Sequence, residues 1–181
     1  MKSKKVAFLG MMGALALVLG FLEHLLIPDI PFLPVGAKPG LSNVVTMYVA
    51  TVMGFPGAIY ITLIKALFAL LTRGATAFLM SLCGGLLSTA VTCIMLRWGR
   101  KYFSFWGIGI VSAVMHNMGQ LIAASFISGT FTLLNYGKYL LIFSLLTGSV
   151  TGVMLLMIVP RMENLQTTTV KKFSNKNNSK N

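Results

Sequence analysis

The most regular feature of this 181-residue sequence is the alternation of long apolar runs with short polar or basic stretches. Six apolar segments can be marked, and they cover approximately 6–27, 41–53, 57–72, 75–96, 103–128 and 138–160. A helix needs about 20 mostly apolar residues to cross a bilayer. The pattern therefore predicts an all-α integral membrane protein with one domain, residues 1–160, that contains six transmembrane helices.

The division between the second and third segments decides the number of helices. The turn sequence GFPG at 54–57 separates them, and a proline inside a helix removes a backbone hydrogen bond. One long broken helix is the alternative. With six helices Arg97, Arg100 and Lys101 lie on the cytoplasmic side, whereas five helices would put them outside. Because cytoplasmic loops are enriched in cations, we predict a multi-pass protein of the bacterial plasma membrane with both termini in the cytoplasm.

The two ends of the chain differ from the rest of the sequence. The first apolar run follows a lysine-rich start, as in a signal peptide, but it is too long and has no clear cleavage site. We interpret it as a retained helix. Residues 161–181 are polar, basic and of low complexity, which predicts a disordered cytoplasmic tail whose lysines attract anionic lipid. The alternative is a solvated tail with no specific partner.

Composition narrows the possible functions. Hydrophobic residues make up 56% of the chain and charged residues 10%, whereas soluble domains carry about 25% charged residues. The net charge of +12 is clustered between apolar runs instead of forming one basic face, so we expect no nucleic-acid partner. Cys83 and Cys93 are ten residues apart on one predicted helix and are interpreted as packing residues.

Acidic residues are too few for several kinds of catalysis. The chain contains three, Glu23, Asp29 and Glu163, and none of them belongs to an aspartate-rich motif. Because Mg²⁺-bound diphosphate needs clustered oxygen ligands, the chain by itself is not a prenyl diphosphate synthase. It also lacks the GxxxxGK[ST] phosphate-binding motif and any haem, iron–sulfur or covalent-flavin motif. We expect a protein that is not an enzyme and has no cofactor.

A proline-rich connection, residues 28–40, precedes the second segment and contains four of the six prolines. It ends near Lys38 and Asn43, where a helix begins, and a helix N-terminus beside a lysine suits an anion. The functional interpretation is a loop that covers a site open to the outside, with Arg73 on the same side of the membrane. In the alternative, Lys38 only reaches the membrane surface and Pro39 starts a helix.

Polar residues inside two apolar segments need an explanation, because ionisable groups are costly within a bilayer. Lys65 lies in the middle of the third segment and either faces a wet cavity, reaches out of a tilted helix or pairs with a buried polar partner. In the fifth segment Ser112, His116 and Gln120 are four residues apart and share one helix face. Asn117 lies beside them. These residues either bond neighbouring helices or line a binding pocket.

Small residues are spaced for close helix packing in two segments. Gly10, Gly13 and Ala14 lie in the first, and serine and glycine recur every four residues over 144–152 in the sixth. Such residues let two helix backbones approach each other. The spacing does not tell whether the neighbouring helix belongs to this chain or to another subunit.

Three motifs resemble a known family. AKPGLSNVVT at 37–46, SLCGGLLS at 81–88 and HNMGQ at 116–120 are similar to the "Gx transporter" family, which has the older label heptaprenyl diphosphate synthase component I. The likeness covers roughly residues 5–160. It implies the six-helix fold of the substrate-binding S component of energy-coupling-factor (ECF) transporters. An S component captures a vitamin-like solute from outside and acts with a T component and ATPase subunits.

The resemblance and the polar residues together suggest positions for two sites. We expect an outward-facing pocket for a small vitamin-like or isoprenoid-related solute, lined or supported by Lys38, Asn43, Lys65, Arg73, His116, Asn117 and Gln120. The resemblance implies that a T component docks on the small residues of the first helix, Gly10, Gly13 and Ala14.

Two other functions stay open. Some members of the family resemble EetB-like membrane components of flavin- or quinone-linked extracellular electron transfer. The older label also allows a non-catalytic accessory of polyprenyl diphosphate synthesis.

Overall fold

The computed structural model describes the backbone of residues 2–26 and 40–178 and the side chains of residues 3–26 and 40–162. The long helices in these ranges are α1 (Lys2–Leu26), α2 (Leu41–Arg73), α3 (Ala75–Ile94), α4 (Phe105–Ser128) and α5 (Gly137–Asn178). A π-helical turn, Met95–Gly99, extends α3, and a 3-10 helix, Phe131–Tyr136, precedes α5. Five helices in this part of the chain are long and apolar enough to cross a membrane. The predicted class, an all-α membrane protein, is confirmed.

α2 reverses direction at Gly54. The backbone there has φ 69° and ψ −161°, a conformation essentially confined to glycine. Lys65 Nζ lies 2.6 Å from Asn43 Oδ1, although 22 residues of straight helix would separate the two positions by about 33 Å. The first half of α2, residues 41–53, therefore lies antiparallel to the second half, residues 55–73.

The predicted boundary at 54–57 coincides with this reversal, but the structure does not assign six separate helices. Pro56 lies in the first turn of the second half, where its missing N–H removes no helical hydrogen bond. The reversal consequently takes place at a single non-helical residue, Gly54, without a longer connecting loop. Five long helices, one of them folded back on itself, stand in place of the predicted six.

The first half of α2 occupies the centre of the bundle. Val44 is buried in a cluster with Ile108 of α4 and Leu155 of α5. Val49 is buried in a second cluster that includes α1 and Ile61 of the second half. This half is about 20 Å long at 1.5 Å per residue. Most of its residues are buried, because neighbouring helices of the same chain surround it.

Buried hydrogen bonds between side chains tie successive helices together. Three of them, one for each neighbouring pair from α2 to α5, join Thr62 to Thr89 (2.8 Å), Thr92 to Ser112 (2.9 Å) and Asn117 to Ser144 (2.7 Å). These bonds fix the rotation of each helix, because a polar group buried without a partner is costly.

α4 and α5 make a very close backbone approach. A Cβ added at Gly109 would lie 2.5 Å from Gly152 Cα and 2.7 Å from Gly148 O. Two of the small residues predicted over 144–152 thus pack against α4. For this stripe the neighbouring helix belongs to the same chain.

The two ends of the bundle differ in chemistry. We call one end of the bundle the cavity end. The last residues of α1 and α4 lie there, together with the first and the last residues of α2. Trp98 and Tyr102 lie at the opposite end and are 69% and 77% exposed. Arg100 stacks over the ring of Phe105 there, 3.8 Å from its centroid. Exposed aromatic rings beside cations are typical of a membrane–water interface.

α5 is longer than the sequence predicts. Its helical backbone continues past the predicted end at 160 as far as Asn178. The sequence that follows Met162 is mostly polar, so the boundary at 160 marks a change in composition. Side chains beyond Met162 lie outside the described part, and the attraction of the basic tail, residues 161–181, to anionic lipid stays a prediction.

Candidate functional site

A cavity of about 440 Å³ opens at the cavity end and is lined by residues of all five helices. Small-molecule sites commonly have volumes of about 300–1,000 Å³. Six of the seven residues predicted for the pocket line this cavity: Asn43, Lys65, Arg73, His116, Asn117 and Gln120. The seventh, Lys38, lies outside the described residues. The structure thus brings six sequence-distant polar side chains together, and their contact with a solute stays a prediction.

Lys65 faces the interior of the bundle. Its ammonium donates to Asn43 Oδ1 at 2.6 Å and to Thr46 Oγ1 at 3.4 Å, both in the first half of α2. Of the alternatives that the sequence left open, the structure combines two, since Lys65 pairs with polar partners and also lines a cavity. An ionisable group at membrane depth is normally placed in this way.

Glu23 is a lining residue that the sequence analysis did not select for the pocket. Its side chain is 4% exposed, and its carboxylate accepts a hydrogen bond from the backbone N–H of Leu41, at the start of α2. Its charge attracts the Lys65 ammonium. An acid within the apolar run 6–27 was the available signal, because the cost that singled out Lys65 applies equally to a carboxylate.

His116 lies against the backbone of α3. A Cβ added at Gly84 would lie 3.3 Å from His116 Cε1 and 2.8 Å from Gln120 Cγ. Gly84 therefore leaves the space that these two side chains occupy. His116 Nδ1 is buried and has no hydrogen-bond partner in the described part of the chain. The imidazole is also within hydrogen-bonding reach of the Gly84 backbone.

The predicted polar face of α4 has two different roles. Ser112 accepts a hydrogen bond from Thr92, and Asn117 Nδ2 donates to Ser144 Oγ. These two side chains join α4 to its neighbours, while also lining the cavity. His116 and Gln120 are the residues of this face that lie next to Gly84. In the HNMGQ motif, Asn117 thus both bonds a neighbouring helix and lines the cavity, whereas His116 and Gln120 line the cavity beside α3.

Arg73 is exposed at the last turn of α2, where it lines the cavity end. It lies two helical turns, about 12 Å along the axis, from Lys65. Among the residues that the structure describes, no three His, Cys, Asp or Glu side chains are grouped so that they could hold a metal ion. Ammonium, guanidinium, imidazole and amide groups are the main chemistry of the site.

The small residues of α1 divide between two faces. Gly13 is buried, and a Cβ placed there would lie 3.5 Å from Ile64 Cδ1 of α2. Gly10 and Ala14 are exposed, and nothing lies within 4 Å of a Cβ at Gly10. Gly13 thus contributes to packing within the chain, whereas Gly10 and Ala14 remain open. Docking of another subunit on this surface stays a prediction.

A model of the family described as heptaprenyl diphosphate synthase component I matches residues 12–158. The chain belongs to this family. The resemblance found in the three sequence motifs is thereby confirmed. No curated protein and no solved structure matches the chain.

The heptaprenyl diphosphate synthase component I match contains the whole cavity. The lining residues run from Ala16 to Thr151, within the matched range 12–158. The range also includes the reversal at Gly54 and the close contact between Gly109 and Gly152. The basic tail lies outside it. The helices that build the cavity are therefore the part of this chain that the family describes.

Proposed function

We propose that this chain is the membrane-embedded substrate-binding S subunit of an ECF-type ATP-driven importer, which captures a small vitamin-like or isoprenoid-related solute from outside. The observation that carries the proposal is the cavity of about 440 Å³ within an apolar bundle, lined by Lys65, His116 and Gln120. Polar groups at membrane depth normally serve a solute or ion path. The lining combines these groups with apolar side chains, as small-molecule sites do.

The proposed arrangement in the membrane has six crossings. The reversal at Gly54 supports it, because it gives α2 two antiparallel halves. Arg97, Arg100 and Lys101 lie at the end opposite the cavity. Cytoplasmic ends of membrane proteins are enriched in cations, so the cavity end is outside and both termini are cytoplasmic.

Cysteine labelling tests this topology. In a Cys83→Ser, Cys93→Ser background, we expect a membrane-impermeant maleimide to label Lys38→Cys in intact cells. Arg100→Cys should be labelled only after permeabilisation, because the proposed bilayer separates the two positions. Mass-tag gel shifts measure the labelled fraction. Equal labelling of Arg100→Cys in intact and permeabilised cells contradicts the six-crossing arrangement.

The proposed role is binding without catalysis. Among the described lining residues Glu23 is the one acid, and its carboxylate already accepts the Leu41 N–H. Diphosphate chemistry with Mg²⁺ needs clustered acidic ligands. The chain has no GxxxxGK[ST] motif, so ATP hydrolysis comes from the proposed partners, a T component and ATPase subunits.

Purification in mild detergent from the native membrane tests the proposed partners. We expect a T component and ATPase subunits to co-purify with the tagged chain. Ala14→Trp should lower their recovery about tenfold, because a bulky side chain on the open face of α1 prevents close helix approach. Leu146→Trp is the matched control on α5, at a position that is 64% exposed. Recovery of a flavoprotein in place of the ATPases contradicts the importer and favours the electron-transfer function.

A further inference from the structure

Several polar side chains of the cavity already have partners within the protein. Thr147 and Thr151 donate to backbone carbonyls of their own helix, at 3.1 and 3.0 Å. Ser112 and Asn117 bond Thr92 and Ser144, as described above. These groups therefore have little hydrogen-bonding capacity left for a solute. Recognition must come mainly from the lining groups that keep such capacity.

Lys65 and His116 keep unused capacity beside each other. An ammonium has three N–H donors, and the Lys65 Nζ uses two of them on Asn43 and Thr46. His116 Nδ1 is buried without a partner in the described part, and the two residues are close enough to interact electrostatically. Gln120 lies one turn from His116 and adds amide donors to the same place. Three lining residues thus converge on one polar position.

The charge at this position is small and positive. Both hydrogen-bond partners of the Lys65 Nζ are neutral oxygens, and the Glu23 carboxylate accepts the Leu41 N–H instead. Among the described lining residues the cations are Lys65 and Arg73 and the anion is Glu23. One further negative charge neutralises this set. A phosphate brings about −1.5 to −2 and a diphosphate brings more, which exceeds the available positive charge.

Apolar lining residues lie between this polar position and the cavity end. Phe68 is about one turn closer to the cavity end than Lys65 on α2. Met80 is one turn closer than Gly84, the α3 residue that contacts His116. An apolar body placed beside these side chains leaves a polar head at the Lys65 level.

We infer that the solute is a small molecule with one carboxylate on an apolar body, bound with its carboxylate at Lys65 and Gln120, beside His116. The apolar body lies against Phe68 and Met80 and points to the cavity end. Two carboxylate oxygens match the spare Lys65 N–H and an amide N–H of Gln120. This inference rests on the proposed function, and it names the class of solute that the cavity selects.

The test compares head groups on matched apolar bodies. Calorimetry measures the binding of three sets of compounds to the full chain in lipid nanodiscs. They are the acids octanoate, 1-naphthoate and farnesoate, their primary amides, and the phosphates octyl phosphate, naphthyl phosphate and farnesyl diphosphate. Empty nanodiscs correct for partition into lipid. We expect at least one acid to bind, with the matching amide and phosphate weaker by about tenfold or more, because they lose a charge-assisted hydrogen bond or add excess charge.

Variants separate the binding role of Lys65 from a structural one. Lys65→Met should weaken the bound acid about tenfold or more, whereas Lys65→Arg keeps the charge and should restore binding to within about threefold. Lys101→Gln should leave the affinity for the acid unchanged, because Lys101 lies at the end of the bundle opposite the cavity. As a second measurement in unmodified protein, the bound acid should slow acylation of Lys65 and leave acylation of Lys101 unchanged.

The possible outcomes distinguish the inference from the function on which it rests. The inference is overturned if an amide or a phosphate binds as tightly as the matching acid. It is also overturned if none of the three acids binds. Unchanged acid affinity in Lys65→Met overturns it as well. The proposed importer function fails separately, when the tagged chain recovers no T component and no ATPase subunits.

Discussion

Gly109→Ala is expected to destabilise the bundle by roughly 3 kcal/mol or more, because the added methyl group would meet the backbone of α5. Its Cβ would lie 2.5 Å from Gly152 Cα and 2.6 Å from Gly152 N. Neither atom can move without separating α4 from α5. In thermal unfolding of the detergent-solubilised chain we expect the melting temperature to fall by roughly 10 °C.

Gly107→Ala is the matched control on the same helix. A Cβ at Gly107 would lie 3.6 Å from Phe103 Cδ1, an ordinary contact with a side chain. Alanine also has the higher helix propensity, so this variant should melt at the wild-type temperature or slightly above it. Equal melting temperatures for the two variants would show that α4 and α5 do not approach as closely as the structure indicates.

Gly54→Asn is expected to destabilise the protein by about 1–3 kcal/mol, because the backbone conformation at the α2 reversal is essentially confined to glycine. Gly54 has φ 69° and ψ −161°. Straightening α2 would relieve the strain, but it would also break the bond between Lys65 and Asn43. We expect a lower melting temperature together with weaker binding of any solute held in the cavity.

Gly129→Asn provides the comparison for a positive φ that asparagine tolerates. Gly129 has φ 66° and ψ 13°, within the left-handed helical region that asparagine adopts at helix ends. Its melting temperature should stay close to that of the wild type. If both asparagine variants are equally stable, the backbone at 54 is not strained and the sharp reversal of α2 is wrong.

The limits of the apolar segments were largely predictable from the sequence. The third helix begins at 75 and the fourth ends at 128, as the hydropathy pattern predicts. Hydropathy reports the length of an apolar run, and it contains no information on the angle between two runs. The sequence therefore identified the junction at 54–57 as a break. Its geometry, a reversal at one residue, follows only from φ and ψ at Gly54.

The candidate site was predictable where a polar residue interrupted an apolar run. Lys65, His116 and Gln120 were found in this way, and all three line the cavity. Glu23 was considered only as one of three acids and was not selected for the pocket, although it too interrupts an apolar run. The sequence also gave no means to separate Asn117, which bonds Ser144, from His116, whose Nδ1 has no partner among the described residues. Whether a polar side chain of α4 has a hydrogen-bond partner depends on which residue of the neighbouring helix lies opposite it.

The reversal at Gly54 also bears on how the chain enters the membrane during synthesis. The first half of α2 is about 20 Å long, shorter than the hydrocarbon core of about 30 Å, and the second half carries Lys65. Neither half is a good insertion signal by itself, because one is short and the other charged. Folded together they place the Lys65 ammonium on Asn43 and Thr46. We expect the translocation machinery to release residues 41–73 into lipid as one helical hairpin, whose polar groups enter the bilayer already bonded to each other.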